Sequence, residues 1–106
     1  MTINTAFSGG TLTVCLQGEL DHHEAREAAR VIDGLIDDYL PRRCVLELSD
    51  LRFMDSSGIA LILRMNRRLS TIAGRLRIEN PNSQPARVLA AAKLDKLVCM
   101  EAGRTV

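Results

Sequence analysis

A polar cluster separates two apolar segments in the stretch FMDSSGIALIL, residues 53–63. The cluster is DSSG, residues 55–58, and the apolar residues after it have helical spacing. Asp and Ser are favoured N-caps, because their side-chain oxygens accept hydrogen bonds from the free N–H groups of a first helical turn. The stretch therefore predicts a helix that runs from about Ser56 to Ala73 and ends at Gly74.

The predicted helix has more apolar residues than one packing face needs. With successive residues 100° apart, one stripe is sufficient to pack on a sheet. Ile59, Ala60 and Leu63 lie outside that stripe and close to the serines. They are either covered by loops of the same domain or form an exposed apolar patch for another protein, and the pattern leaves both open. The stripe consists of Leu61, Ile62, Met65, Leu69 and Ile72.

The two serines also allow two interpretations. They can act only as helix caps. Alternatively, a phosphate on one of them would meet free N–H groups and the positive end of the helix dipole, so the fold would accept it with little disturbance. Its roughly −1.5 to −2 charges, added beside Asp55 and an apolar patch, would oppose the docking of a partner. Phosphorylation would then be an off-switch for binding.

Strand patterns occur in four other parts of the chain. Polar and apolar residues alternate after the turn signal Ser8-Gly9-Gly10, which predicts a β-hairpin over residues 3–17. Short apolar runs predict further strands at residues 43–48, 76–79 and 97–100.

Two further amphipathic helices are predicted between these strands. One covers residues 25–40 and is stopped by Pro41. The other covers residues 85–92, with Ser83 as a candidate cap. Helices that alternate with strands after an opening hairpin imply crossover connections. Residues 1–106 are therefore predicted to form a single α/β domain, with a mixed, mostly parallel sheet, an antiparallel edge strand and helices packed on it.

The composition argues against several classes of partner. The 106 residues are 46% hydrophobic and 25% charged with a net charge of +1, so no overall field attracts the protein to nucleic acid or to an anionic membrane. One tyrosine, two phenylalanines and no tryptophan leave few rings for stacking on bases. Residues 1–4 lack a signal-peptide pattern, and no apolar run approaches the roughly 20 residues that span a bilayer. We expect a cytoplasmic protein that binds neither nucleic acid nor membrane.

The nucleophilic and metal-binding residues form no strong catalytic pattern. His22 and His23 are adjacent, so their rings point apart, and no metal or cofactor site is predicted. A small serine hydrolase using Ser56 is the alternative of another class, although Ser56 lacks the Gly-x-Ser-x-Gly setting and only these histidines could act as base. We expect inert, reduced core thiols from the three cysteines, which lie in strand-like runs without CxxC spacing. They are Cys15, Cys44 and Cys99.

Several arginines follow the apolar start of the second helix. Arg64, Arg67 and Arg68 lie on one polar face of that helix. The face is either solvated or complementary in charge to an acidic partner. No glycine-rich phosphate-binding loop occurs in the chain, so any nucleotide is expected on a partner.

Two motifs and the order of elements identify a family resemblance. The motifs are FMDSSG at residues 53–58, preceded by LSDLR at 48–52, and GELDHH at residues 18–23. Over almost its whole length the chain resembles the STAS-domain anti-sigma factor antagonists. The FMDSSG motif is specific to the antagonist branch. GELDHH is most similar to the stage II sporulation antagonists of the anti-sigma-F factor.

The resemblance implies a partner-switching protein rather than an enzyme. In that family the unphosphorylated antagonist binds an anti-sigma factor that is also a serine kinase, carrying ATP or ADP, and the sigma factor is released. The kinase can phosphorylate the antagonist, which then dissociates, and a metal-dependent PP2C-type phosphatase restores it. The implied function here is control of the sporulation factor sigma-F. An antagonist or scaffold STAS protein of a general stress sigma pathway is the alternative within the family.

The resemblance also implies roles for individual residues. The family phosphoserine directly follows the aspartate and falls on Ser56, and Ser57 matches a neighbour that is not the main acceptor. Asp21 and Asp55 match acidic positions beside the phosphoserine, and Ile59 matches an apolar contact position. The expected partner-binding residues are Asp21, Asp55, Ser57, Gly58, Ile59 and Leu63. Relatives also carry a final helix, which we expect to be absent or reduced to a turn in residues 101–106.

Overall fold

The longest strand within residues 1–94 organises the sheet. The structure, a computed structural model, describes residues 1–94. Strand β1, Thr2–Ser8, pairs antiparallel with strand β2, Thr11–Leu20. Gly9 and Gly10 join them with positive φ angles of 58° and 82°, which glycine adopts without steric cost. The predicted hairpin is therefore confirmed, and its second strand runs further than expected.

β2 also pairs in parallel with two successive strands. Its first half lies beside β3, Arg43–Glu47, and its last residues lie beside β4, Leu51–Met54. On its other side, β3 pairs in parallel with β5, Arg75–Glu79. Within residues 1–94 the strand order is β1-β2-β3-β5, with β4 beside the end of β2. The prediction of a mixed, mostly parallel sheet with an antiparallel edge is confirmed.

Helices cover one face of this sheet. Helix α1, His22–Tyr39, and helix α2, Ser56–Thr71, pack on each other and on the strands. Helix α3, Ser83–Ala91, packs against β4 and α2. None of the helices among residues 1–94 is both long enough and apolar enough to cross a bilayer.

The described residues share one aliphatic core, which lies between the sheet and the helices. Strand alternation directs Leu12, Val14 and Leu16 of β2 into it, and all three are fully buried. Four members of the predicted stripe of α2 are also buried, whereas Ile72 is half-buried at the end of the helix. The helical residues of the core are Ala25, Ala28, Ile32, Ile36, Leu61, Ile62, Met65, Leu69 and Leu89.

The two described cysteines differ in environment. Cys44 is buried in the core, and burial raises the pKa of its thiol to about 12. Cys15 lies on the opposite face of β2 and is half-buried. Partial burial and the carboxylates of Glu47 and Asp50 raise its pKa. The expectation of a core thiol is confirmed for Cys44 and is wrong for Cys15, while Cys99 lies outside the described residues.

Some element boundaries differ from the prediction. The N-cap of α3 is Asn82, so the assignment of Ser83 as its cap was wrong. Strand β4 was not predicted, and α2 ends at Thr71. Ala73 takes a left-handed φ of 59° directly after the helix. The predicted strand at 97–100 and the question of a final helix lie outside the described residues.

Candidate functional site

The sheet brings the starts of α1 and α2 together. β2 ends directly before Asp21, the N-cap residue of α1, and β4 ends directly before Asp55, the N-cap residue of α2. The last residues of the two strands, Leu20 and Met54, are paired. The N–H of Asp55 donates a hydrogen bond to the carbonyl of Leu20 at 3.3 Å. The motifs GELDHH and FMDSSG, which are distant in sequence, therefore form one site.

Both helices begin with an aspartate cap. Asp21 Oδ1 accepts a hydrogen bond from the N–H of Glu24 at 2.9 Å, and Asp55 Oδ1 accepts one from the N–H of Ser57 at 2.8 Å. Both aspartates have the extended backbone of an N-cap residue. The two predicted acidic site residues thus flank the site as capping groups, and neither serine caps α2.

Ser56 is the first residue of α2, and its side chain is exposed. Its hydroxyl has no hydrogen-bond partner within residues 1–94. The first-turn N–H groups and the positive end of the helix dipole lie next to it. A phosphate could therefore be added here without breaking a contact of the fold.

Ser57 has a different environment, because it lies on the flank of α2 that faces α1. It is half-buried, and its Oγ is 3.4 Å from Nδ1 of His22, the first residue of α1. This contact joins the first turns of the two helices. Of the two adjacent hydroxyls, the geometry makes Ser56 the accessible one. The predicted helix began at residue 25, and no sequence pattern indicated that His22 lies in α1 or contacts Ser57.

Gly58 is buried and allows the first turn of α2 to lie close to the strand ends. A Cβ atom at this position would lie 2.6 Å from Cε and 3.2 Å from Cβ of Met54, and 3.2 Å from Cδ2 of Leu20. Gly58 therefore positions the serines through close packing and offers no exposed side chain to a partner.

The apolar residues of the predicted patch are only partly exposed. Ile59 is half-buried and packs against the core, whereas Leu63 is 39% exposed and Ala60 is exposed. Leu63 lies about two turns after Ser56 and therefore on the same side of α2. Phe53, also 39% exposed, adds apolar surface on β4, although it was not among the predicted partner-binding residues.

The start of α3 holds β4 in place through side-chain amides. Gln84 Oε1 accepts a hydrogen bond from the N–H of Met54 at 2.9 Å, and Gln84 Nε2 donates to its carbonyl at 3.0 Å. Asn82 Nδ2 donates to the carbonyls of Ser49 and Leu51 at 2.8 and 3.0 Å. The Gln84 side chain thus forms the two backbone hydrogen bonds of Met54 that a neighbouring strand would otherwise form. No pattern in the sequence indicated these supporting residues.

The arginines of α2 are divided between ion pairs and open surface. Arg64 Nε donates a hydrogen bond to Asp33 on α1 at 3.0 Å, and this bond raises the pKa of the guanidinium. Arg68 is paired with Asp33 and Asp37. Arg67 is exposed and has no ion pair within residues 1–94. A simple solvated face therefore does not describe this flank, because two of the arginines bridge α2 to α1.

The histidine contact bears on the hydrolase alternative. His22 approaches Ser57 rather than the exposed Ser56, and within residues 1–94 its ring donates no hydrogen bond to a carboxylate that would orient it as a base. In the same residues no group of three or more His, Cys, Asp and Glu side chains could hold a metal ion.

Comparison with known proteins gives consistent matches in sequence and in structure. The chain is 38% identical over 72 residues to the anti-sigma F factor antagonist of Lysinibacillus sphaericus, covering 68% of this chain and 62% of that protein. It is 34% identical over 89 residues to the anti-sigma F factor antagonist of Paenibacillus polymyxa, covering 84% and 76%. The first alignment thus spans less than two thirds of its relative.

The solved structure of the anti-sigma factor antagonist SpoIIAA in its unphosphorylated form has the same fold. The TM-score is 0.84 at 27% identity, over 96% of this chain and 90% of that one. The family model described as STAS domain matches residues 2–106. This match covers both helix starts and all the strands described above, so the chain belongs to the STAS domain family.

Proposed function

We propose that this protein is an anti-sigma factor antagonist that is switched off by phosphorylation of Ser56. Its unphosphorylated form binds an anti-sigma factor, which then releases its sigma factor. The observation that carries the proposal is the exposed, unpaired hydroxyl of Ser56 at the start of α2. The names of the two relatives and the similarity to unphosphorylated SpoIIAA support it.

The docking surface in this proposal is the outer side of the first two turns of α2. It carries Ser56, Ala60 and Leu63, and Ile59 contributes a smaller exposed part. The apolar side chains can be covered by a partner at little desolvation cost, and the Ser56 hydroxyl can be covered where the partner offers it a hydrogen bond. The surface belongs to a helix whose start is fixed by Asp55 and by the packing of Gly58. The partner would therefore meet a rigid face, which lowers the entropic cost of binding.

Phosphorylation acts on this surface through electrostatics. A phosphate adds about −1.5 to −2 charges at Ser56, directly after Asp55, and Asp21 caps the helix that starts from the paired strand end. Any partner that covers Leu63 must desolvate that charge, which is unfavourable without a compensating cation. The helix dipole stabilises the phosphate in the free protein. The modification thus favours the free state over the complex.

The partners follow from the same proposal. The anti-sigma factor is a serine kinase carrying ATP or ADP, and it donates the phosphate; a PP2C-type phosphatase removes it. The sigma factor is the sporulation factor sigma-F, and an antagonist or scaffold in a general stress sigma pathway is the alternative within the family. The protein acts in the cytoplasm, where sigma factors meet RNA polymerase.

The test is the intact mass of the protein after incubation with its anti-sigma kinase and ATP. We expect one added phosphate in the wild type, none in Ser56→Ala, and one in the matched control Ser57→Ala. A phosphate that persists in Ser56→Ala would contradict the assignment of the switch to Ser56.

Affinity for the anti-sigma factor tests the off-switch itself. Ser56→Ala should bind as the wild type does. Ser56→Asp should bind about tenfold more weakly or worse, because a charge buried at an interface without a partner is costly. Titration calorimetry measures both, and equal affinities of the two variants would refute the electrostatic mechanism.

A further inference from the structure

A groove runs between the N-terminal halves of α1 and α2, beside the serines. It has a volume of about 340 Å³, and its floor consists of Ala25, Ala29, Ala60 and Leu61. Three of these four residues are alanines, whose short side chains leave the space between the helices unfilled. Towards the C-terminal halves, the pairing of Asp33 with Arg64 closes the gap between the helices. The groove is therefore an open, apolar depression that begins near the proposed docking surface.

The rim of the groove is positively charged. Arg26, Arg64 and Arg67 line it, and none of the lining residues is acidic. Arg26 and Arg67 are exposed and have no ion pair within residues 1–94. Both helices also present their N-termini at this end, and the partial positive charge of each dipole adds to that of the side chains.

The nearby carboxylates do not cancel this charge. Asp33 accepts hydrogen bonds from Arg64, and Glu27 accepts them from Arg30 at 2.9 and 3.0 Å. Asp21 and Asp55 do not line the groove, and each accepts a hydrogen bond as a helix cap. The two unpaired arginines therefore dominate the field over the apolar floor.

From this combination we infer that the groove binds an acidic, amphipathic segment of the anti-sigma partner, with an apolar side chain on the alanine floor and carboxylates against Arg26 and Arg67. The inference rests on the proposed function, because it assigns that partner a second contact beside α2. Charge complementarity selects this occupant. A small anion would use the arginines but would leave the apolar floor exposed to water.

The groove also connects the switch to the docking site. Ser57 lines its end, and Ser56 is the adjacent residue. A phosphate on Ser56 would add negative charge at the mouth of the groove and offset the attraction for an acidic segment. Phosphorylation would then weaken both contacts of the partner, the apolar surface of α2 and the basic groove.

The test is reversal of the two unpaired charges in Arg26→Glu/Arg67→Glu. Neither side chain has an ion pair within the described residues, so folding should be retained, which circular dichroism checks. The matched control is Arg42→Glu/Arg75→Glu, which changes the net charge equally at the opposite end of the strands, where the N–H of Arg75 donates to the carbonyl of Arg42. The affinity for the ADP-loaded anti-sigma kinase is measured by calorimetry at low and high salt.

We expect the groove variant to bind at least about tenfold more weakly at low salt, with much of the difference lost at high salt, because screening reduces the charge contribution. The control should bind as the wild type does. An equal loss of affinity in both variants, or no loss in either, would overturn the inference. Binding by the wild type would still support the proposed function in that case. Absence of wild-type binding would refute the proposed function first. Submillimolar binding of inorganic phosphate by these arginines, detected by NMR titration, would make the groove a small-anion site and also overturn the inference.

Discussion

Asp55 combines a hydrogen-bond acceptor with a negative charge, and substitutions can separate the two. Its Oδ1 caps the start of α2 through the N–H of Ser57 at 2.8 Å. Asp55→Ala removes the cap and should lower the free energy of unfolding by about 1 kcal/mol, whereas Asp55→Asn keeps an acceptor and should cost only a few tenths of that. Urea denaturation measures both values.

The matched control for Asp55 is Asp38→Ala on α1. Asp38 is exposed and has no hydrogen bond or ion pair within residues 1–94, so its removal changes the net charge equally without losing a cap. Its position in the last turn of α1 is unfavourable for a negative charge, so the control should be neutral or slightly stabilising. If Asp55→Ala were as stable as this control, the capping role would be disproved.

Cys44 should make stability depend on pH in the alkaline range. Burial raises the pKa of its thiol to about 12 from an ordinary value of 9.0. The folded state therefore keeps the proton where the unfolded state loses it, so stability is fully present below about pH 9 and falls as the pH rises towards 12. The loss of stability between pH 8 and about pH 10.5, measured by urea denaturation, should be smaller in Cys44→Ala than in the wild type. An identical loss in both would show that this thiol does not contribute.

At the residue scale, sequence patterns were sufficient where the chemistry is local. The cap at Asp55 and the helix start at Ser56 follow from residue types that are adjacent in the chain. The contact of His22 with Ser57 at 3.4 Å cannot be predicted from adjacent residues, because it depends on the pairing of β2 with β4. The close approach of Gly58 to Leu20 has the same origin.

At the scale of the elements, β4 shows why a strand can lack a sequence signal. It has only four residues, and buried and exposed positions do not alternate along it, because Arg52 and Phe53 are both exposed. Its pairing with β2 is interrupted by a register shift between Gly18 and Glu19, and the φ of Gly18 is 109°. Within residues 1–94, the backbone groups of Met54 at its other edge are hydrogen-bonded by the Gln84 side chain and by no strand. By contrast, α1 and the start of α2 were predictable, because their apolar stripes are long and periodic.

Two glycines, one within a helix and one after the end of a helix, should respond oppositely to alanine. Gly34 is exposed in the middle of α1 and has open space around the Cβ position, so Gly34→Ala should stabilise the protein by about 0.5–1 kcal/mol through helix propensity. At Gly74, after α2, a Cβ would lie 2.8 Å from the carbonyl oxygen of Pro41. Gly74→Ala should therefore destabilise by about 1–3 kcal/mol, as overpacking does. Thermal or urea unfolding gives both signs, and two changes of the same sign would contradict this account of the two sites.

At the scale of the whole molecule, the site is a product of topology. The paired ends of β2 and β4 place two helix starts side by side, and the positive dipole ends then share one surface with Ser56 and the groove. The fold class was predictable from the alternation of strands and helices. The groove was not, because it requires Ala25, Ala29 and Ala60 to face each other across two helices.

This arrangement predicts that phosphorylation changes binding without changing the fold. Ser56 is exposed, and its hydroxyl makes no hydrogen bond within residues 1–94 that a phosphate would break. The favourable interaction of the phosphate with the start of α2, about 0.3–1 kcal/mol, is opposed by the nearby carboxylate of Asp55. The free energy of unfolding should therefore change by less than about 1 kcal/mol, as measured by urea denaturation of both forms. Amide NMR shifts should be confined to the first turns of α1 and α2. Shifts that extend through β5 and α3, or a larger loss of stability, would instead mean that the switch works by rearranging the fold and that blocked docking is not its cause.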